Sequence, residues 1–248
     1  MNTIARRYLA SKRGSFVEDI RIVKSREVKT PPKYPIFRKP SKKAMEIRQN
    51  FDYLLVLDFE ATCEPGPIYP VQEIIEFPVV QLKTSNWQEI RRFHKYVKPS
   101  ENPKISTFCT NLTGIIQEMI DGQENLEEVL KSFDDWIKED DDLTNFAMVT
   151  CGDWDLKVAL PLEAEYKQLE IPEYLKNWIN VKKAYAEHTG HFARSMKHLL
   201  EIYQLKFEGR HHSGIDDVTN ICEIVKCLGK SGHNFNFTSN QVQQRSFN

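Results

Sequence analysis

Tyr53-Leu-Leu-Val-Leu-Asp-Phe-Glu-Ala61 is the stretch that decides the architecture. It is rich in β-formers and apolar on both faces until its end, the pattern of a central strand covered on both sides. It then closes on two acids. In a strand, residues i and i+2 share a face, so Asp58 and Glu60 aim at one point. Burying ionised carboxylates without compensation costs several kcal/mol each, and like charges side by side add repulsion. A divalent cation relieves both, because hard cations such as Mg²⁺ prefer oxygen ligands. Spacing alone carries little: Glu163-x-Glu165 repeats it in a helix-like region. The strand context is what distinguishes Asp58-x-Glu60.

Downstream, Glu73 to Lys83 and Glu89 to Val97 read as strands around the polar turn Thr84-Ser85-Asn86, an antiparallel meander. Thr110 or Asn111 is expected to cap a helix reaching about Ile120, and Asn125 another reaching Lys138. Phe146 to Cys151 is a short β run, Trp154 to Gln168 is helix-like, and Trp178 to Tyr185 fits strand or helix. Ser195 to Tyr203 and Ile215 to Leu228 have helical spacing. Strands first, then helices alternating with single strands, predict an α/β fold with a mixed central sheet flanked by helices.

Two further clusters stand where strands or loops give way to helices, the usual place for sites in open α/β sheets. Gly152-Asp153-Trp154-Asp155 follows the Phe146 run, and either aspartate would also serve as a helix cap. Arg210-His211-His212-Ser213-Gly214-Ile215-Asp216-Asp217 opens the last helix. His211 precedes Asp216 by five residues and His212 precedes Asp217 by five, so spacing leaves the register open. An imidazole beside a carboxylate suits metal-assisted hydrolysis, one group taking a proton from water and the other holding a cation.

The chain has 248 residues, 40% hydrophobic and 28% charged, which suits a globular protein with a core. No run of about 18 apolar residues predicts a membrane span, and no signal-peptide pattern is expected. Five cysteines without zinc-type spacing read as reduced thiols of an intracellular protein, cytoplasmic or nuclear. The formal charge of −1 hides an asymmetry: residues 1–50 carry 14 basic and 4 acidic side chains, a net of +10, whereas the remainder nets −11. The expected organisation is a basic, disordered arm over residues 1–49, a folded domain over 50–230, and a polar tail over 231–248. Met1 to Phe16, with Arg6, Arg7, Lys12 and Arg13 and no acid, also has the composition of a mitochondrial presequence.

In this order the clusters resemble the DEDDh 3′–5′ exonucleases, a branch of the ribonuclease H-like superfamily. The similarity is closest to the family of histone-mRNA and RNA-interference-attenuating exonucleases, and within it to the prion-protein-interacting-protein-like branch. It is carried by Leu57-Asp-Phe-Glu-Ala-Thr-Cys-Glu64, Glu73-Ile-Ile-Glu-Phe-Pro-Val-Val80, Phe108-Cys-Thr-Asn-Leu-Thr-Gly-Ile-Ile-Gln117, Cys151-Gly-Asp-Trp-Asp-Leu-Lys157 and His212-Ser-Gly-Ile-Asp-Asp217. One departure is Tyr203-Gln204-Leu205, where the family often has a glycine after the helix.

The resemblance implies a three-layer ribonuclease H-like fold. It places the four family carboxylates on Asp58, Glu60, Asp155 and Asp217 and the family histidine on His212, leaving Asp153, Asp216 and His211 as supporting or capping residues. It implies two divalent cations, Mg²⁺ or Mn²⁺, with Glu60 a bridge and His212 the general base. Single-stranded RNA, or DNA as well, would be cut from its 3′ end to nucleoside 5′-monophosphates. Glu60, Ala61, Phe108, Trp154 and His212 are expected to contact the terminal nucleotides, the two aromatics by stacking. A scaffold that keeps the fold with little turnover, or a nuclease confined to short oligonucleotides, are the competing expectations.

Overall fold

Alternation along the first strand builds two cores. In the computed structural model, which describes residues 48–68 and 70–241, β1 spans Tyr53–Leu57 and all five of its residues are buried. Leu54 and Val56 belong to one apolar cluster, with residues of the last three helices. Tyr53, Leu55, Leu57 and Phe59 belong to a second, on the opposite face. A sheet covered on both faces is the three-layer arrangement expected from the resemblance.

β2 (Glu60–Ala61) continues the line of β1 after a break at Asp58–Phe59, and both pair antiparallel with β3 (Ile74–Lys83). The single strand read over Tyr53–Ala61 is thus interrupted at its first acid. β3 also pairs antiparallel with β4 (Gln88–Tyr96). On the other side, β1 runs parallel to β5 (Phe146–Thr150), which runs parallel to β6 (Asn177–Asn180). The sheet is mixed, as predicted.

The helices differ in detail. The segment expected as one helix reaching Ile120 is two: α1 (Thr107–Thr113), capped by the Ser106 hydroxyl, and α2 (Gln117–Ile120). Gly114, in the left-handed region at φ 81°, ends α1, so the break is a glycine C-cap inside what reads as a continuous pattern. α3 (Leu126–Lys138) starts with the expected Asn125, reinforced by Glu128 in a capping box. The Trp154–Gln168 segment opens with a π-helical turn, Asp155–Ala159, before α4 (Leu160–Lys167). The ambiguous Trp178–Tyr185 is both things: β6, then α5 (Val181–Thr189), which Asn180 caps.

α6 (Met196–Tyr203) ends at Gln204, whose φ of 56° lies in the left-handed region that favours glycine, within the Tyr203-Gln204-Leu205 stretch that departs from the family pattern. α7 (Gly214–Lys230) packs across β1 and β3. Among the described residues, no helix is long and apolar enough to cross a membrane.

The segment read as a polar tail from Ser231 is structural as far as Gln241. Phe235 is fully buried, and β7 (Ser239–Asn240) pairs antiparallel with β6. The Gln49 side chain donates to the His233 carbonyl at 2.8 Å and accepts from the Phe235 amide at 3.0 Å. Few apolar residues made the stretch look unfoldable; its Asn, Gln and Ser side chains instead satisfy backbone and side-chain partners. The basic arm and the presequence-like stretch lie outside the described residues, apart from Arg48 and Gln49.

Candidate functional site

Asp58 and Glu60 continue the face of Leu54 and Val56, the side on which α7 packs. The topology therefore delivers Asp217, in the first turn of α7, to the end of β1. Ligand oxygens of Asp58, Glu60 and Asp217 lie within 4.8 Å of one another. Asp155 arrives from the next strand over, at the end of β5, and accepts the Phe59 amide at 2.9 Å. The four carboxylates line one cleft of about 380 Å³, together with Phe59, Ala61, Trp154, His211 and His212.

Crowding of the acids dominates the electrostatics. Desolvation, reinforced by Asp155, Asp217 and Glu60, raises Asp58 well above the usual carboxylate range. Desolvation and the charges of Asp217 and Glu76 push Glu60 to about 8. Burial raises Asp155 and Asp217 to about 6 each. Asp217 Oδ1 is buried with no hydrogen-bond partner. An orphaned carboxylate oxygen amid raised acids is what a hard divalent cation satisfies, so the donor set fits the metal ions that the fold implies.

Asp153 plays a different part. Its Oδ1 accepts from Trp178 Nε1 at 3.1 Å, Asn180 Nδ2 at 2.9 Å and Ser239 Oγ at 2.7 Å, and Oδ2 pairs with Lys183 at 2.8 Å. Burial would raise this acid, but those bonds outweigh it and hold Asp153 near 2. It ties β6, α5 and β7 to the start of the Asp155 turn. Asp216 likewise serves its own loop, accepting the Arg210 amide at 2.8 Å.

Both histidines reach the cleft. His212 has a φ of 64°, and its amide donates to Asp217 Oδ2 at 2.9 Å. His211 stacks on His212 with ring centroids 4.2 Å apart and on Phe207 at 5.6 Å. Its Nδ1 lies 3.4 Å from Asp217 Oδ2, without hydrogen-bond geometry. Desolvation, then His211, lowers His212, so its ring is neutral near pH 7. His211 is lowered too, mainly by desolvation.

Trp154 is 39% exposed and lines the cleft, whereas Phe108 is 41% exposed on α1. Neither is a core residue. Leu112, one turn along α1 from Phe108, is the side chain of that helix that lines the cleft. Arg210 holds α1 to the histidine loop: its guanidinium donates to the carbonyls of Asn111 and Leu112. A Cβ on Gly114 would stand 1.9 Å from Arg210 Nη1, so this contact needs the glycine. Sequence reasoning missed Leu112, Met196, Gln72 and Cys63 as lining residues, because no residue-type signal marks them.

Comparison with known proteins gives a consistent result. The exonuclease (RNase T) family matches residues 55–225. ERI1 exoribonuclease 3 of Homo sapiens is 45% identical over 195 residues, covering 77% of this chain and 58% of that protein. The 3′-5′ exoribonuclease 1 of Homo sapiens is 37% identical over 191 residues, covering 73% and 54% respectively. The chain thus spans 58% of the length of the first of these relatives. The nuclease domain of 3′hExo, a DEDDh family member bound to rAMP, superposes with a TM-score of 0.73 at 35% identity, over 77% of this chain and 98% of that one. A 3′-exonuclease that recognises the 3′ end of the histone mRNA stem-loop superposes at 0.74 with 33% identity, over 77% and 68%.

Proposed function

The chain belongs to the exonuclease (RNase T) family, and from that premise we propose that it is a metal-dependent 3′–5′ exoribonuclease of the DEDDh type. The observation that carries this reading is the convergence of Asp58, Glu60, Asp155 and Asp217 on one cleft that also holds His212 and an exposed tryptophan.

Asp58, Glu60, Asp155 and Asp217 would hold two divalent cations, Mg²⁺ or Mn²⁺. Such ions, when bound, offset the carboxylate charge and stabilise charge on the phosphate and the leaving oxygen. Every other requirement falls on the protein. Neutral His212 takes the proton of the attacking water. Trp154, which lines the cleft, stacks on a terminal base, a contact that every base satisfies. Phe108, exposed on α1 outside the cleft lining, would stack on a neighbouring base. Ala61, buried at the cleft with only a methyl group, leaves room for the terminal nucleotide beside Glu60. The substrate is the 3′ end of single-stranded RNA, the same chemistry being open to DNA, and the products are nucleoside 5′-monophosphates. The +10 segment over residues 1–50 supplies further phosphate contacts.

Incubating 5′-labelled RNA with Mg²⁺ is expected to give a ladder of 3′-shortened products, with mononucleotides released from 3′-labelled RNA. EDTA should abolish both. Undiminished cleavage in excess EDTA, or a binding protein without turnover, would overturn the reading.

A further inference from the structure

Glu76 is a fifth carboxylate beside the site, and it does not line the cleft. It stands opposite Glu60 in the β2–β3 register and is 1% exposed. Its Oε2 accepts the Gly214 amide at 2.9 Å, and Oε1 accepts the Ile215 amide at 3.3 Å. Oε1 also lies 2.8 Å from Nε2 of His94 on β4. The His94 ring in turn packs on Tyr96 at 5.1 Å.

A negative charge here works against its neighbours, since Glu76 is among the groups that raise Asp58, Glu60 and Asp217. A neutral side chain would relieve that repulsion. What only a carboxylate offers is acceptance of two first-turn amides and an imidazole together, at the positive end of α7. Space at this joint is tight. A Cβ on Gly214 would meet the Asp58 carbonyl at 2.9 Å and Glu76 Oε2 at 3.0 Å. The first turn of α7 is therefore set directly against the end of β1, and Asp217 follows three residues later on the same face.

We propose that Glu76, braced by His94, is a positioning residue: it pins the first turn of α7 so that Asp217 stands beside Asp58 and Glu60. The proposal rests on the reading that these carboxylates hold divalent cations.

Calorimetric titration of Mn²⁺ into the metal-free full chain tests it without RNA. Glu76→Gln removes the charge and one acceptor, whereas Glu76→Asp keeps the charge but shortens the reach. Both are expected to bind Mn²⁺ about 10- to 100-fold more weakly than wild type, the usual effect of losing a partner that orients a ligand. The number of sites should stay unchanged, because partial unfolding would lower that number and not the affinity. RNA hydrolysis should show kcat falling by a similar factor, with KM nearly constant. Wild-type Mn²⁺ affinity in Glu76→Asp overturns the positioning role, even if Glu76→Gln is weak, since charge alone would then explain it. Should neither variant fold, His94→Ala decides, because it spares both amide bonds: weakened affinity supports the proposal and wild-type affinity overturns it. A wild-type protein that binds Mn²⁺ but cuts no RNA would sink the exonuclease reading while leaving the positioning result standing.

Discussion

The backbone amide of Phe59 donates to Asp155 Oδ1 at 2.9 Å, across 96 residues of chain. This bond fills the gap between β1 and β2, where the strand breaks to present Asp58. It also fixes the carboxylate that opens the π-helical turn. One interaction thus places two of the four acids, and it explains why Asp155, not Asp153, belongs to the cleft.

Metal-free protein should lose stability as pH rises. Unfolded carboxylates titrate near 4, whereas native Asp155 and Asp217 titrate at about 6 and Glu60 at about 8. Between those values the native state binds more protons than the unfolded one, so stability falls with pH. The contribution is fully present below pH ~4 and is lost through pH ~8. The lowered histidines act in the opposite sense up to about pH 6.5 and are neutral in both states above it. Melting temperatures in EDTA should therefore drop from pH ~7 to ~8.5, and Mn²⁺ should restore more at the upper end. A metal-free melting temperature that climbs across this window would contradict the crowded cluster.

Glu60→Gln should abolish turnover yet stabilise the metal-free protein. The amide removes a buried charge that its neighbours oppose, so the gain should grow as pH rises through about 8, where Glu60 ionises. It also removes an anionic ligand, so the Mn²⁺-induced rise in melting temperature should shrink. Thermal scans with and without Mn²⁺ read both effects; a destabilised metal-free variant would count against the repulsion argument.

His212→Ala should slow RNA hydrolysis by about 10²–10⁴-fold, the worth of a positioned general base. His211→Ala should cost about tenfold or less, because its ring supports His212 by stacking worth about 0.5–1.5 kcal/mol. Single-turnover rates compare them. A larger loss in His211→Ala would exchange the two roles.

Trp154→Ala should leave the melting temperature nearly unchanged, as the ring is 39% exposed. Efficiency should fall about 5- to 150-fold, since stacking on a base is worth about 1–3 kcal/mol. The loss should be alike for all four 3′-terminal bases. A fall confined to one base would mean that Trp154 reads an edge and not a face.

Phe235→Ala should destabilise the protein by about 3–5 kcal/mol, the cost of emptying a packed aromatic site. A residue in a free tail would change stability by less than about 0.5 kcal/mol. Urea denaturation distinguishes these outcomes.

Hydrophobic alternation is local, so Tyr53–Ala61 by itself determined a strand covered on both faces and two acids sharing one of them. Charge at the end of that strand made a cation site one of two readings, the other being a strand end whose acids reach water. Burial of Glu60 and Asp217 in the packed cleft favours the first. The ordered motifs, through family resemblance, set Asp155, Asp217 and His212 ahead of their neighbours. Spacing could not do this, because Asp153 and Asp155, like Asp216 and Asp217, are equivalent as helix caps. Tertiary structure separated them: Asp153 is consumed by Asn180, Ser239 and Lys183, whereas Asp217 keeps an unpartnered oxygen in the cleft. It alone decided that residues 231–241 are part of the domain, since hydrogen bonds to Gln49 and Asp153 leave no trace in hydropathy. It alone gave Glu76 and Arg210 their parts, because a long-range contact depends on which strand and helix ends meet. Sequence pattern records what each residue prefers; which preferences can be satisfied together is settled only when the chain is packed.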